Sequence, residues 1–361
     1  MNTYGTNLKI TIFGQSHAPA IGIVIDGFPA GMTVDTDALQ CFLNRRAPGG
    51  TAYGTKRKEA DIPEFIAGLR DGETCGAPIT AIIRNTDARS SDYEALKDIP
   101  RPSHADYAAY VKFNGKNDVA GGGQFSGRLT APLCVAGGLC LQLLKQRGIA
   151  VAAHILSIGN ADNTPFDPVR PDFSALPTGK PPALNASAWK NMLAEIDDAR
   201  KAGDSLGGVI ECAATGLPAG LGNPMFEGME NKIAQVVFGI PAVKGIAFGS
   251  GFEGARMRGS ENNDPYFMDG DAIRTKTNNH GGILGGITTG MPLIFRAVIK
   301  PTPSIAMEQD SVSLSRRENV KLSIRGRHDP CIVPRAIPCV EAAAAIAICD
   351  ILLGNQPTIG E

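Results

Sequence analysis

Gly27-Phe28-Pro29-Ala30-Gly31 recurs almost unchanged as Gly216-Leu217-Pro218-Ala219-Gly220, and each copy stands between an apolar run and a helical one. Further along, Gly76-Ala77-Pro78-Ile79 is echoed by Gly290-Met291-Pro292-Leu293. Each of these opens a β-rich run that ends near a threonine, Thr86 or Thr302. Two matched pairs in the same order point to a duplicated β–α–β unit, with halves at about residues 8–155 and 205–353. The alternative is chance recurrence of Gly–Pro turns in a chain rich in both residues. Duplication predicts two related sheets packed with helices between or around them.

Outward from the repeat, the periodicity marks individual elements. Leu8–Phe13 and Ile21–Asp26 are expected strands with His17 on the turn between them, and Ile79–Arg84, Val209–Ala214 and Val243–Phe248 are further strands. Thr36 is placed to cap a helix ending at Arg45 and Arg46. Pro132 suits the first turn of a helix that stops at Gly148, Ala188–Ala202 is amphipathic, and Val340–Leu353 reads as a buried helix. Ile283–Ile299 is mostly strand, broken by Thr288–Pro292. Asn160–Pro182, rich in Pro, Asp and Asn, is expected to be a long connection or surface excursion and to mark the lobe boundary.

Composition narrows the class. The 361 residues suggest about two lobes by size, and 43% hydrophobic with 20% charged residues is ordinary for a folded protein. A net charge of −1 argues against a generic nucleic-acid or membrane-surface binder. The 43 glycines and 25 prolines, without a collagen period, imply many tight turns and close backbone approaches. The eight cysteines are scattered, with no CxxC and no zinc spacing, which points to reduced thiols and a cytoplasmic protein. The N-terminus lacks the pattern of a signal peptide, and no apolar stretch is expected to span a membrane.

Chemistry collects in loops. Four of the five histidines, His17, His104, His280 and His328, sit in segments dense with Gly, Pro, Asn, Asp or Arg, while His154 lies in an apolar run and is expected to be structural. No HxH, HxxxH or HExxH spacing occurs, so no metal site is expected. Arg45 and Arg46 precede Pro48-Gly49-Gly50, Arg128 follows Gly121-Gly122-Gly123, and Arg325, Arg327 and Arg335 surround His328-Asp329. Arginines beside glycine loops suit a local anion site, since guanidinium grips carboxylates and phosphates two-pronged and loop amides add donors. Surface ion pairs are the alternative, and Lys56-Arg57-Lys58 is read as a solvated face. The loop before Pro132 is neither GxxxxGK[ST] nor GxGxxG, so neither a P-loop nor a Rossmann fingerprint is present. Lys300-Pro301-Thr302-Pro303-Ser304 is a stiff strand-end loop with one cation and two hydroxyls, suited to a phosphate or a ring edge. The residues alone therefore indicate an enzyme acting on a polyanionic small molecule with histidine acids, arginine clamps, an aspartate and no metal.

Together these segments resemble the chorismate synthase family, over about Phe13 to Leu353. The strongest matches are Arg101-Pro102-Ser103-His104-Ala105-Asp106-Tyr107, Asn278-Asn279-His280-Gly281-Gly282-Ile283-Leu284-Gly285-Gly286, Lys300-Pro301-Thr302-Pro303-Ser304 and Gly326-Arg327-His328-Asp329-Pro330-Cys331. The resemblance implies an α+β fold: a single domain over residues 1–361 forming a β–α sandwich with an internal pseudo-twofold β–α–β repeat, assembled as a homotetramer. It implies a carbon–oxygen lyase that eliminates phosphate 1,4-trans from 5-enolpyruvylshikimate 3-phosphate to give chorismate, with reduced FMN required. By the same resemblance His17 helps the phosphate leave, His104 protonates the flavin, and Asp329 works with flavin N5 in removing the C6 proton. Arg46, Arg128 and Arg327 fall at anion-clamping positions. Gln124, Phe125, Ser126, Pro241, Ala242, Gly285, Lys300, Pro301, Thr302, Pro303, Ser304 and Arg327 fall at flavin-contacting ones.

Departures from the family pattern are Gln15 and Ala18 beside His17, Gln124 and Phe125 in the glycine loop, Ala52 for an arginine, and Pro241 for a frequent asparagine. Ala52 weakens the case for flavin reduction by NADPH on this chain, so a separate flavin reductase is the expected partner. Two other readings stand beside the leading one: a catalytically silent FMN- or phosphate-binding relative, and a different phosphate-eliminating or phosphoryl-transferring enzyme.

Overall fold

The computed structural model describes residues 1–49, 54, 59–86, 97–176, 183–324 and 329–354. Two antiparallel five-stranded sheets carry the architecture. The first contains β1 (Thr3–Tyr4), β2 (Lys9–Gly14), β3 (Ala20–Asp26), β4 (Glu64–Ala67) and β5 (Ile79–Arg84), in the order β1-β2-β3-β5-β4. The second contains β6 (Ala150–Ile158), β7 (Ala161–Asp162), β8 (Gly208–Thr215), β9 (Val243–Phe248) and β10 (Leu293–Ile299), in the order β7-β6-β8-β10-β9. The two orders are the same once β2, β3, β5 and β4 are matched to β6, β8, β10 and β9.

The matched pentapeptides make matching turns. In the first half Met32 N–H donates to Thr74 Oγ1 (2.9 Å), whose hydroxyl donates to Pro29 O (2.6 Å). In the second, Leu221 N–H donates to Thr288 Oγ1 (2.9 Å), whose hydroxyl donates to Pro218 O (2.7 Å). Both threonines are buried, so these bonds satisfy backbone groups that water does not reach. The repeat is therefore conformational as well as sequential.

The longer helices are α1 (Thr36–Arg46), α2 (Asp106–Lys112), α3 (Thr130–Gln146), α4 (Ala186–Lys201), α5 (Met229–Val237) and α6 (Val333–Gly354). The N-cap of α1 is Asp35, one residue before the expected Thr36, and its carboxylate accepts from Ala38 N–H at 2.8 Å. Helix α3 packs on β3 and β5, α6 packs on β6 and β8, and the two helices pack on each other, with α1 and α5 beside them. Period-two alternation supplies the inner faces: Ile21, Ile23 and Ile25 on β3 and Ile79, Ala81 and Ile83 on β5 are all buried. Each fully buried isoleucine contributes roughly 1.5–3 kcal/mol. At the helix crossing, a Cβ on Gly137 would lie 2.1 Å from Ala342 Cβ, so only glycine lets the two backbones come this close.

Three expectations need correction. Two helical stretches, Gly127–Gln146 and Val333–Gly354, are long and apolar enough to cross a membrane, contrary to the sequence reading. Their apolar windows are 83% and 89% buried between the sheets, so the apolarity serves the core. Strand Ala150–Ile158 pairs with β8 and belongs to the second sheet, although the repeat had placed residues up to 155 with the first copy. The polar stretch after it, described over residues 160–176, is the expected connection but stays with the second half, so the lobe boundary does not fall there. Phe166 anchors it, buried with its ring 4.4 Å edge-on from that of His154. His154 itself is fully buried with Nε2 3.0 Å from Glu211 Oε2, a structural histidine.

Candidate active site

Loops at one end of the helical layer enclose a cavity of about 690 Å³, within the range typical of small-molecule and cofactor sites. Its described wall includes His104, Gln124, Phe125, Ser126, Arg128, Arg46, Pro241, Ala242, Lys300, Thr302, Pro303, Ser304 and Asp329, all of them expected site residues. Pro301 and Gly285 are not on that wall; Gly285 lies in the hairpin turn between Ile283–Leu284 and Ile287–Thr288. Arg327 and His328, like Ala52, lie outside the described residues. His280 is also off the cavity. Its Nδ1 accepts from Gly282 N–H (2.9 Å) and its Nε2 lies 3.5 Å from Asp264, so it shapes its own loop. Burial lowers its pKa, with Asp264 opposing.

The glycine triplet brings two distant histidines together. Gly121, Gly122 and Gly123 have φ of 60°, 86° and 53°, a left-handed run that side chains rarely allow. A Cβ on Gly121 would lie 2.1 Å from His17 Cε1, and one on Gly122 would lie 3.4 Å from His104 Nε2. The loop thus runs bare beside each ring. Ser16 N–H donates to Gly123 O (3.1 Å), which fixes the β2–β3 turn and hence His17 against it. His17 is set just behind the wall, in contact with lining residue Gly121.

His104 is oriented from behind. Its Nδ1 lies 2.5 Å from Asp106 Oδ1, so Nδ1–H donates to the carboxylate and Nε2 is left facing the glycine loop. Asp106 also accepts from Arg101 Nε (2.7 Å), Nη2 (2.8 Å) and backbone N–H (3.0 Å). Burial would raise the Asp106 pKa, but the hydrogen bonds from Arg101 and His104 outweigh it and hold the carboxyl far below the usual carboxylate range. Position 106 lies at the start of α2, where the helix dipole also favours an anion.

The arginine-bearing wall rests on a buried acid the sequence reading did not single out. Asp61, fully buried, bonds Arg46 Nε at 2.5 Å and also the Arg128 guanidinium. Arg128 further reaches Glu59 (3.3 Å) and Asn85 Oδ1 (3.0 Å). Arg335 pairs with Asp329 and donates from Nε to Arg46 O (3.0 Å), which ties α6 to the end of α1. Two arginines locked on one aspartate hold fixed rotamers at little further entropy cost. Lys300 and Lys244 add cations on another part of the wall. Burial, with help from Lys244, lowers the Lys300 pKa. Phe125, Phe238, Ile240 and Ile332 supply apolar surface. Of the residues missed, Asp106 and Arg101 were inside a quoted motif, whereas Asp61 carried no local signal.

Comparison with known proteins agrees with this geometry. The sequence pattern of the family described as chorismate synthase matches residues 8–353. The chain is 48% identical over 352 residues to a chorismate synthase of Thermococcus gammatolerans and 46% identical over 355 residues to that of Korarchaeum cryptofilum, covering 98% of both partners in each case. A crystal structure of chorismate synthase superposes with a TM-score of 0.74 at 25% identity, covering 97% of this chain and 93% of the other. With the matched half-sheets, the paired histidines and near-complete coverage by such relatives, the chain belongs to the chorismate synthase family.

Proposed function

We propose that the cavity catalyses 1,4-trans elimination of phosphate from 5-enolpyruvylshikimate 3-phosphate, giving chorismate and inorganic phosphate, as a carbon–oxygen lyase. The observation that carries this reading is the approach of His17 and His104 to the same glycine loop, at Gly121 and Gly122, beside a cavity walled by Arg46, Arg128 and Arg335. A substrate with two carboxylates and a phosphate needs such cations, and a departing phosphate needs a proton. Arg46 and Arg128, oriented by Asp61, bind the substrate anions. His17 supplies the proton to the leaving phosphate. Asp329, anchored by Arg335, receives the C6 proton as the C3–O bond breaks. His104 keeps its Nδ1–H on Asp106, so Nε2 is the atom that takes up a proton and passes it to the cofactor.

The wall also suits a flavin mononucleotide. Phe125, Phe238, Ile240 and Pro241 can flank a planar ring, while Ser126, Lys300, Thr302 and Ser304 offer donors to a phosphate tail. Reduced FMN bound there supplies electron density to the reacting allylic system. Gln124, Ala242 and Pro303 complete this part of the wall. Gly285, Pro301 and Arg327 are kept as flavin contacts on the family resemblance alone. We also propose a cytoplasmic homotetramer, which the exposed Phe226, Phe252, Tyr266 and Ile273 support, and an external source of reduced flavin.

The test is anaerobic chorismate formation with chemically reduced FMN, run beside oxidised FMN with NADPH. Turnover with reduced FMN alone is expected. Turnover in both overturns the reading of Ala52, and turnover in neither, with FMN bound and the chain folded, overturns the proposed reaction.

A further inference from the structure

Helices α3 and α6 meet along a seam of small residues, and cysteines sit on both sides of it. Cys134 and Cys339 lie one turn before Gly137 and Ala342, with Sγ atoms 3.8 Å apart. On the same seam, Cys349 Sγ approaches Cys140 O at 3.7 Å. All four are buried. Only one of them, Cys339, forms part of the described cavity wall, between Ala336, Arg335, Thr130 and Arg46.

The two members of the first pair differ in chemistry. The thiol of Cys134 donates to Cys339, and this bond, together with the guanidinium groups of Arg46 and Arg335, holds the Cys339 thiol below its ordinary pKa despite burial. Burial pushes the Cys134 thiol up. A thiolate is the form that attacks peroxides, and a neighbouring thiol resolves the product. At Cys140 burial, Cys349 and Asp350 all push the thiol up.

We propose that Cys134 and Cys339 form a peroxide-sensitive dithiol in the cavity wall, with Cys339 as the attacking sulfur and Cys134 as the resolving one. In the first step the Cys339 thiolate attacks hydrogen peroxide. The O–O bond breaks, and with one proton taken up the products are a Cys339 sulfenic acid and water. In the second step the Cys134 sulfur attacks the Cys339 sulfur, the S–O bond breaks, and the hydroxyl leaves as water with the Cys134 proton. The sum is two thiols plus hydrogen peroxide giving one disulfide and two waters. The sulfurs must close by roughly 1.8 Å to reach bonding distance, which side-chain rotation can provide without separating the helices. The product links α3 to α6 beside Arg46 and Arg335.

The experiment uses the full chain, fully reduced and then exposed to hydrogen peroxide, alkylated, and mapped by mass spectrometry without reductant. The expected result is loss of two hydrogens as a Cys134–Cys339 cross-linked peptide, reversed by dithiothreitol, forming at least about tenfold faster than any Cys140–Cys349 cross-link. In Cys134→Ser the oxidation should stop at a dimedone-reactive Cys339, and in Cys339→Ser no oxidation of Cys134 should occur at the same dose. Oxidation confined to exposed Cys41 and Cys75, or equal rates at the two buried pairs, overturns the proposal. The wild-type map decides the matter even if a serine variant folds poorly.

Discussion

Asp106→Asn isolates the orienting role of one carboxylate without changing its size. In the native protein this group receives Arg101 Nε, Arg101 Nη2, Arg101 N–H and His104 Nδ1–H at 2.7, 2.8, 3.0 and 2.5 Å. An asparagine retains one acceptor oxygen, so its amide NH2 must face either the guanidinium or the imidazole. Removing one partner of a buried pair costs about 3–5 kcal/mol, so the variant should unfold at clearly lower denaturant. If the amide faces His104, the imidazole proton moves to Nε2, the atom turned towards Gly122. A wrong tautomer of this kind costs on the order of 10²–10⁴ in rate. The assay is anaerobic chorismate formation with reduced FMN over a range of pH, beside urea unfolding. The sign of the pH effect follows from the depressed Asp106 pKa. Its stabilisation is complete above the unfolded value of about 3.9 and is lost as pH falls through the folded value. The stability gap between wild type and variant should therefore be full at neutral pH and narrow in strong acid. A variant with wild-type rate and an unchanged pH–rate profile would refute the orienting role, and one with a pH-independent stability gap would refute the electrostatic account.

Three further outcomes are expected. Gly121→Ala places a Cβ 2.1 Å from His17 Cε1 at a positive φ, so turnover should fall at least about a hundredfold while global stability changes little; a wild-type kcat would show that His17 does not need this contact. Asp61→Asn leaves Arg46 and Arg128 without their shared counter-ion and should cost about 3–5 kcal/mol of stability together with a raised KM, read by urea unfolding and steady-state kinetics. Gly137→Val forces α3 off α6 at Ala342 and should destabilise by at least about 1–3 kcal/mol; an unchanged unfolding midpoint would contradict the close crossing.

Much of the fold was legible because it repeats. Gly-x-Pro-Ala-Gly occurs twice for a reason the structure makes plain: Pro29 and Pro218 place their carbonyls to accept from Thr74 and Thr288 in the same turn. Local patterns also announced α3, α4 and the inner strands, since periodicity follows from burial on one face. The apolar length of α6 was harder to read. Its first residues, Val333–Cys339, include two prolines, so the sequence placed the helix start at Val340.

The site divides the same way. By itself the sequence singled out the loops in which histidine, arginine and glycine gather in short motifs, and several of those loops line one cavity. Tertiary structure decided how they meet. His17 and His104 reach the same loop only because Gly121 and Gly122 leave them room without side chains. Arg46 and Arg128 are held side by side only because Asp61, from a separate segment, is buried between them. The cost of burying a charge is relieved by the partners that the fold delivers, and those partners come from distant segments with no periodicity to betray them.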